Sequence, residues 1–100
     1  MTSSLQLDSY QYRCRYCHKL HPGPTRTLDF RSVREQWHDH GLERTFEADF
    51  ANHCECSQTN HLTFRVREYP EGIYSYQDCQ SEDAELLTPP KVREHTQVFG

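Results

Sequence analysis

Strongly apolar side chains are scarce in this chain. Leu, Ile, Val and Phe together supply 18 of 100 residues, and the widest hydrophobic count is 34%. A chain with fewer than roughly 20% of these residues and a high net charge is disordered. The formal charge here is only −4, so a fold with a small core is expected instead. A domain this small and this poor in core calls for a staple, either disulfides or a metal.

Other absences narrow the function. No run approaches the ~20 apolar residues of a membrane span, and no apolar signal core stands near the start. A cytoplasmic protein without membrane contact is therefore expected. Only four glycines are present, none in a phosphate-cradling loop, and neither a nucleophile elbow nor an HExxH motif occurs. The net acidity removes any overall attraction to a polyanion.

What the chain does have is five cysteines and seven histidines. An odd cysteine count leaves a closed disulfide framework one thiol over, and a reducing compartment favours metal binding. Cys14-x2-Cys17 and Cys54-x-Cys56 form two close pairs with 36 residues between them. Four thiolates from two tight turns make the shell of one tetrahedral Zn²⁺, closed and therefore structural. His18, His53, His61 and Cys79 stand near enough in sequence to substitute for one of the four.

Residues 1–9 read as a loose lead-in, 10–80 as the zinc-stapled domain, and 81–100 as an acidic, Pro-containing tail, mobile or loosely docked. Tyr10, Tyr12 and Cys14 alternate as in a short strand. Phe30, Val33 and Trp37 fall at i, i+3 and i+7, Ser32 to Glu35 spell a capping box, and Gly41 supplies a stop. A helix is expected there. Phe46, Ala48 and Phe50 alternate ahead of the second pair, Leu62, Phe64 and Val66 alternate after it, and residues 73–77 give one more strand. The expected fold is a small α+β domain. An antiparallel sheet of three to four strands carries one helix inserted between two zinc knuckles.

That pattern resembles the zinc-ribbon group over residues 10–78. Tyr12 to Cys17 and Asn52 to Cys56 carry the resemblance, with strand 61–69 behind them. It departs in its CxC second pair, in lacking a glycine after either pair, and in the inserted helix. The resemblance implies a binding or regulatory module. Trp37-His38-Asp39-His40 also faintly resembles the metal-binding core of HNH and recombination endonucleases, with Asn60 as the Asn of that pattern. That resemblance implies a nuclease as the alternative, whereas a filled four-cysteine shell favours a protein that is not an enzyme.

Charge is unevenly placed. Residues 10–34 hold six cations and one acid, and residues 68–85 hold six acids and no cation. The bland expectation is that these segments attract each other within the fold. The sharper one is a binding surface at Arg13, Arg15, Tyr16 and Lys19, with Tyr74 and Tyr76 on the acidic side. Aromatics of this kind anchor protein interfaces, so a protein partner is expected. Cations interleaved with tyrosines also suit single-stranded nucleic acid.

Overall fold

A computed structural model describes residues 2–23 and 25–94. None of them is helical; the described residues form nine strands. In order they are β1 (Thr2–Asp8), β2 (Gln11–Cys14), β3 (Leu20–Pro22), β4 (Arg26–His38), β5 (Gly41–His53), β6 (Thr59–Glu68), β7 (Tyr74–Gln80), β8 (Ala84–Thr88) and β9 (Lys91–Glu94). Six of them form an antiparallel sheet in the order β7-β6-β5-β4-β1-β9. Strand β9 packs back against β7, so this sheet curls into a nearly closed barrel. The other three form a small sheet, β3-β2-β8, which adds Tyr10, Tyr12 and Ala84 to the barrel core.

Alternation explains which residues fill the barrel. Phe46, Ala48 and Phe50 from β5 face Leu62, Phe64 and Val66 from β6, and Leu5, Leu7 and Phe30 complete the core. Tyr10 packs edge-on to both Phe50 and Phe64. Two of the tyrosines thus stand in for missing aliphatics. The outer face carries interleaved charges instead: Arg31 pairs with Asp49, and Arg65 lies between Glu47 and Asp78.

The α+β expectation is overturned by β4. The segment predicted as a helix pairs with β1 on one side and β5 on the other. Its register slips between Ser32 and Arg34, leaving Val33 as the extra residue of a bulge. The slip breaks the two-residue alternation, so the apolar spacing imitates a helical period by accident. Of the supposed stripe only Phe30 is buried; Val33 is 45% and Trp37 76% exposed. Asp29 in the same segment accepts a hydrogen bond from Ser4 Oγ across to β1.

Both ends of the described chain are also more structured than their composition indicates. The lead-in holds β1, whose Leu5 and Leu7 are fully buried and which lies between β4 and β9. The tail supplies β8 and β9, and residues 95–100 lie outside the described residues. Pairing of β2 with β8 sets Arg13 opposite Glu85, so the basic and acidic segments do meet within the fold.

The barrel and the absent helix make opposite demands on stability. Phe64→Ala empties a fully buried site and is expected to cost about 3–5 kcal/mol. Val33→Ala, on the exposed bulge, is expected to stay within about 0.5 kcal/mol. Denaturant melts of the two variants check this, and an equal large loss in both would restore the helical stripe.

Candidate metal centre

The inward rows of three strands converge at one end of the barrel. On β2, Tyr12 and Cys14 point inward; on β5, Phe50 and Asn52, with Cys54 directly after its last residue; on β6, Asn60 and Leu62. Asn52 Nδ2 donates to Tyr12 Oη at 2.7 Å, tying the rows together just below the cysteines. Alternation alone therefore delivers Cys14 and Cys54, both buried, to the same place. Cys17 and Cys56 then arrive from the loops that follow.

Each loop is a tight reversal. In the first, Cys14 N–H donates to Lys19 O at 3.0 Å and His18 N–H to Cys14 O at 2.9 Å. In the second, Cys54 N–H donates to Gln58 O at 2.8 Å and Ser57 N–H to Cys54 O at 3.0 Å. The residue directly after each pair lies in the left-handed region, His18 at φ 62° and Ser57 at φ 73°. Glycine would be the usual occupant of such a position. The two positions locate the glycines missing from the sequence pattern: the conformation is kept and the residue is not. This twist turns the next amide back onto sulfur, Lys19 N–H onto Cys17 and Gln58 N–H onto Cys56.

The four Sγ atoms lie within 4.8 Å of one another. Cys14 Sγ is 3.8 Å from Cys56 Sγ, and Cys17 Sγ is 3.5 Å from Cys54 Sγ. These are not disulfides, whose sulfurs lie about 2.05 Å apart. Bonds of about 2.3 Å to one tetrahedral ion place sulfurs about 3.8 Å apart, close to both values. The arrangement is compatible with a metal ion held by four thiolates.

Electrostatics agree with a site made for a cation. Asn60 is buried and donates through Nδ2 to Cys14 Sγ at 3.3 Å. That hydrogen bond, aided by the amides of Cys17 and Tyr16 and opposed by burial, holds the Cys14 thiol down at about 6. Cys56 is pushed up to about 12, because burial and three neighbouring sulfurs outweigh the hydrogen bond from the Gln58 amide. One thiolate thus forms readily, at Cys14, while the thiols of Cys17 and Cys56 resist ionisation. Keeping all four ionised requires a positive charge among them.

None of the four substitutes joins the cluster. His18 is an exposed turn residue, and His53 points outward from β5 beside the inward Cys54. His61 is occupied by Asp83, its Nδ1 2.8 Å from Oδ2. Cys79 lies on β7 opposite Phe64, packed against the core, with its thiol pushed up to about 11 by burial. His21 does come close, with Nε2 3.3 Å from Cys54 Sγ and its ring stacked on Tyr12 at 5.1 Å. Pro22-Gly23-Pro24 directly after it reads as a turn in the sequence, although His21 itself lies on β3. The β2–β3 register, which sets His21 opposite Tyr12, is the signal that would have found it.

The expected binding residues are partly spent on the fold. Arg15 donates from Nε to Ala84 O at 3.0 Å, and Lys19 Nζ pairs with Glu55, joining one loop to the other. Arg13 is half-buried across from Glu85, and Tyr74 and Tyr76 pack partly against the core. Tyr16 stands free at 59% exposure. Asp39 and His40 occupy the β4–β5 turn, the whole length of β5 away from Asn60, which binds sulfur instead. The nuclease pattern is therefore not assembled.

Asp83 anchors the first loop from behind. Its backbone oxygen accepts from Arg15 N–H at 3.0 Å and Asn60 Nδ2 at 3.1 Å. Its carboxylate accepts from His61 N–H at 2.7 Å and Ser81 Oγ at 3.2 Å. Burial would raise this carboxyl, but the hydrogen bonds from His61 and Ser81 bring it below the usual range.

No protein-family model, curated protein or solved structure matches this chain. The zinc-ribbon resemblance is thus supported by the cysteine cluster alone, and no family is assigned.

Two outcomes follow from the groups around the cluster. Asn60→Ala is expected to weaken metal binding by about 10–100-fold, as for other partners of ligands, measured by chelator competition. Asp83→Asn is expected to cost about 1–3 kcal/mol at neutral pH. Because the folded-state pKa of Asp83 is depressed, its contribution exists above the unfolded value near 3.9 and is lost as pH falls through the lower folded value. Acid melts should show the wild type losing an increment below about pH 4 that the variant never had.

Proposed function

We propose that this chain is a small non-enzymatic binding or regulatory module in which Cys14, Cys17, Cys54 and Cys56 hold one structural Zn²⁺. The convergence of four sulfurs from two hairpin turns, at separations near those of a tetrahedral thiolate site, carries this reading. Cysteine sulfur is soft, and a site of four thiolates selects zinc or iron–sulfur chemistry over harder ions. A filled shell leaves no open position for water or substrate, which favours a structural ion over a catalytic one.

A protein partner is the favoured class. Arg15 and Lys19, the cations of the first loop, already engage Ala84 O and Glu55, which reduces what they offer a phosphate backbone. The largest exposed side chain is Trp37, a residue type enriched at protein interfaces.

Purified protein is expected to contain one zinc per chain by metal analysis. Replacement by Co²⁺ should give the absorption of a tetrathiolate. Removing the ion should abolish the cooperative melt, since structural zinc contributes on the order of 10–16 kcal/mol to folding. Cys14→Ser and Cys54→Ser should fail in the same way, while Cys79→Ser stays folded and loaded. A chelated protein that melts as before would overturn the staple.

A further inference from the structure

The end of β5 away from the cysteines is built differently. Beyond Arg44, strand β5 has no β6 partner, so residues 34–43 continue as a two-stranded hairpin beyond the body of the sheet. The β6–β7 turn lies beside it: His38 and Tyr69 rings pack at 5.2 Å, and Arg44 Nη1 is 3.5 Å from Glu68 Oε1. Between the two tips is a cleft of about 240 Å³ lined by Trp37, His40, Leu42, Arg44, Glu68 and Glu71.

Trp37 is 76% exposed on this cleft and has no ring partner among the described residues. An indole left in water contributes little to the fold, and its face attracts a cation. The charges beside it are not balanced. Arg44 is neutralised by Glu68 and approached by Glu35 at 3.7 Å. Glu68 is buried and also accepts from Gly72 N–H at 3.0 Å. Glu71 in the cleft and Asp39 at the tip are exposed and have no ionic partner among the described residues. The uncompensated charge beside the indole is therefore negative.

We infer that the Trp37–Glu71 cleft receives a lysine or arginine side chain of a partner protein, stacked on the indole with its charge against Glu71. This rests on the reading of the chain as a binding module and assigns its contact surface. It does not involve the cysteine cluster. The cleft suits one extended side chain, since Trp37 supplies an apolar face for the methylenes and a π-face for the cation, and Glu71 supplies the counter-charge.

The zinc-loaded full chain is titrated with a fluorescein-labelled hexa-arginine peptide, followed by anisotropy and by emission from Trp37, the sole tryptophan. Saturable binding with a change in Trp37 emission is expected. Trp37→Ala and Glu71→Lys should each weaken it about tenfold. Glu82→Lys, an equal charge change at a separate cleft beside His61, should leave it within about twofold. Equal losses in Glu71→Lys and Glu82→Lys would reduce the contact to net charge and overturn the site. A change in emission with oligothymidine and none with the peptide would overturn the partner class. A wild type that carries zinc, melts cooperatively and ignores the peptide overturns this surface while leaving the module reading standing. Absent zinc defeats the module reading itself.

Discussion

Four sulfurs within 4.8 Å of one another are the constraint on which the rest of this structure depends. Brought together as thiolates they would repel, and brought together as thiols they would contribute little more than small apolar groups. The hydrogen bonds directed at them show which state the chain is shaped for. Asn60 and the amides of Tyr16 and Cys17 address Cys14, the Lys19 amide addresses Cys17, and the Gln58 amide addresses Cys56. These donors offset part of the negative charge, and a cation bound among the sulfurs would offset the rest. The left-handed residues His18 and Ser57 aim two of those amides, so strain of about 1–2 kcal/mol at each is tolerated in exchange for charge compensation.

The same convergence makes up for the shortage of apolar core. The β2–β3 hairpin belongs to the small sheet and the β5–β6 hairpin to the barrel. Below the cysteines the contact between them rests on Tyr12, Asn52 and His21, groups that pack well but are not strongly hydrophobic. A metal across the two loops would fix the small sheet to the barrel where burial alone is thin. Asp83 works toward the same end from the opposite side, its backbone oxygen joining Arg15 of the first loop to Asn60 of β6.

Much of this was legible in the sequence because strand alternation survives wherever the strand is regular. The inward rows Phe46-Ala48-Phe50 and Leu62-Phe64-Val66 stand as read, and the two cysteine pairs sit at the ends of strands as expected. The failure at residues 30–40 has a local cause. A bulge at Val33 changes the phase of alternation, and a hairpin that leaves the sheet has no buried face to mark it. β1, β8 and β9 were illegible for another reason. They are short or poor in apolar residues, and their pairing depends on partners far away in the chain, β4, β2 and β1 respectively. Asp83 reaches the site through such a pairing, β2 with β8, whereas His21 arrives through the short β2–β3 hairpin.

Strand β5 joins two regions with contrasting physics. At Cys54 the chain is buried, tightly hydrogen-bonded and crowded with sulfurs whose charge needs compensation. At the Gly41 end it projects into solvent with an indole and carboxylates that the fold does not use. Stability and recognition make conflicting demands on a small domain, because an exposed tryptophan costs solvation and an uncompensated acid adds repulsion. Separating them along one 13-residue strand lets the end that carries the cysteine cluster hold the fold together. The far hairpin can then keep side chains that contribute little to the protein alone. In a chain with 18 strongly apolar residues, leaving a tryptophan outside the core is a real expense, and it is offset only if something else covers it.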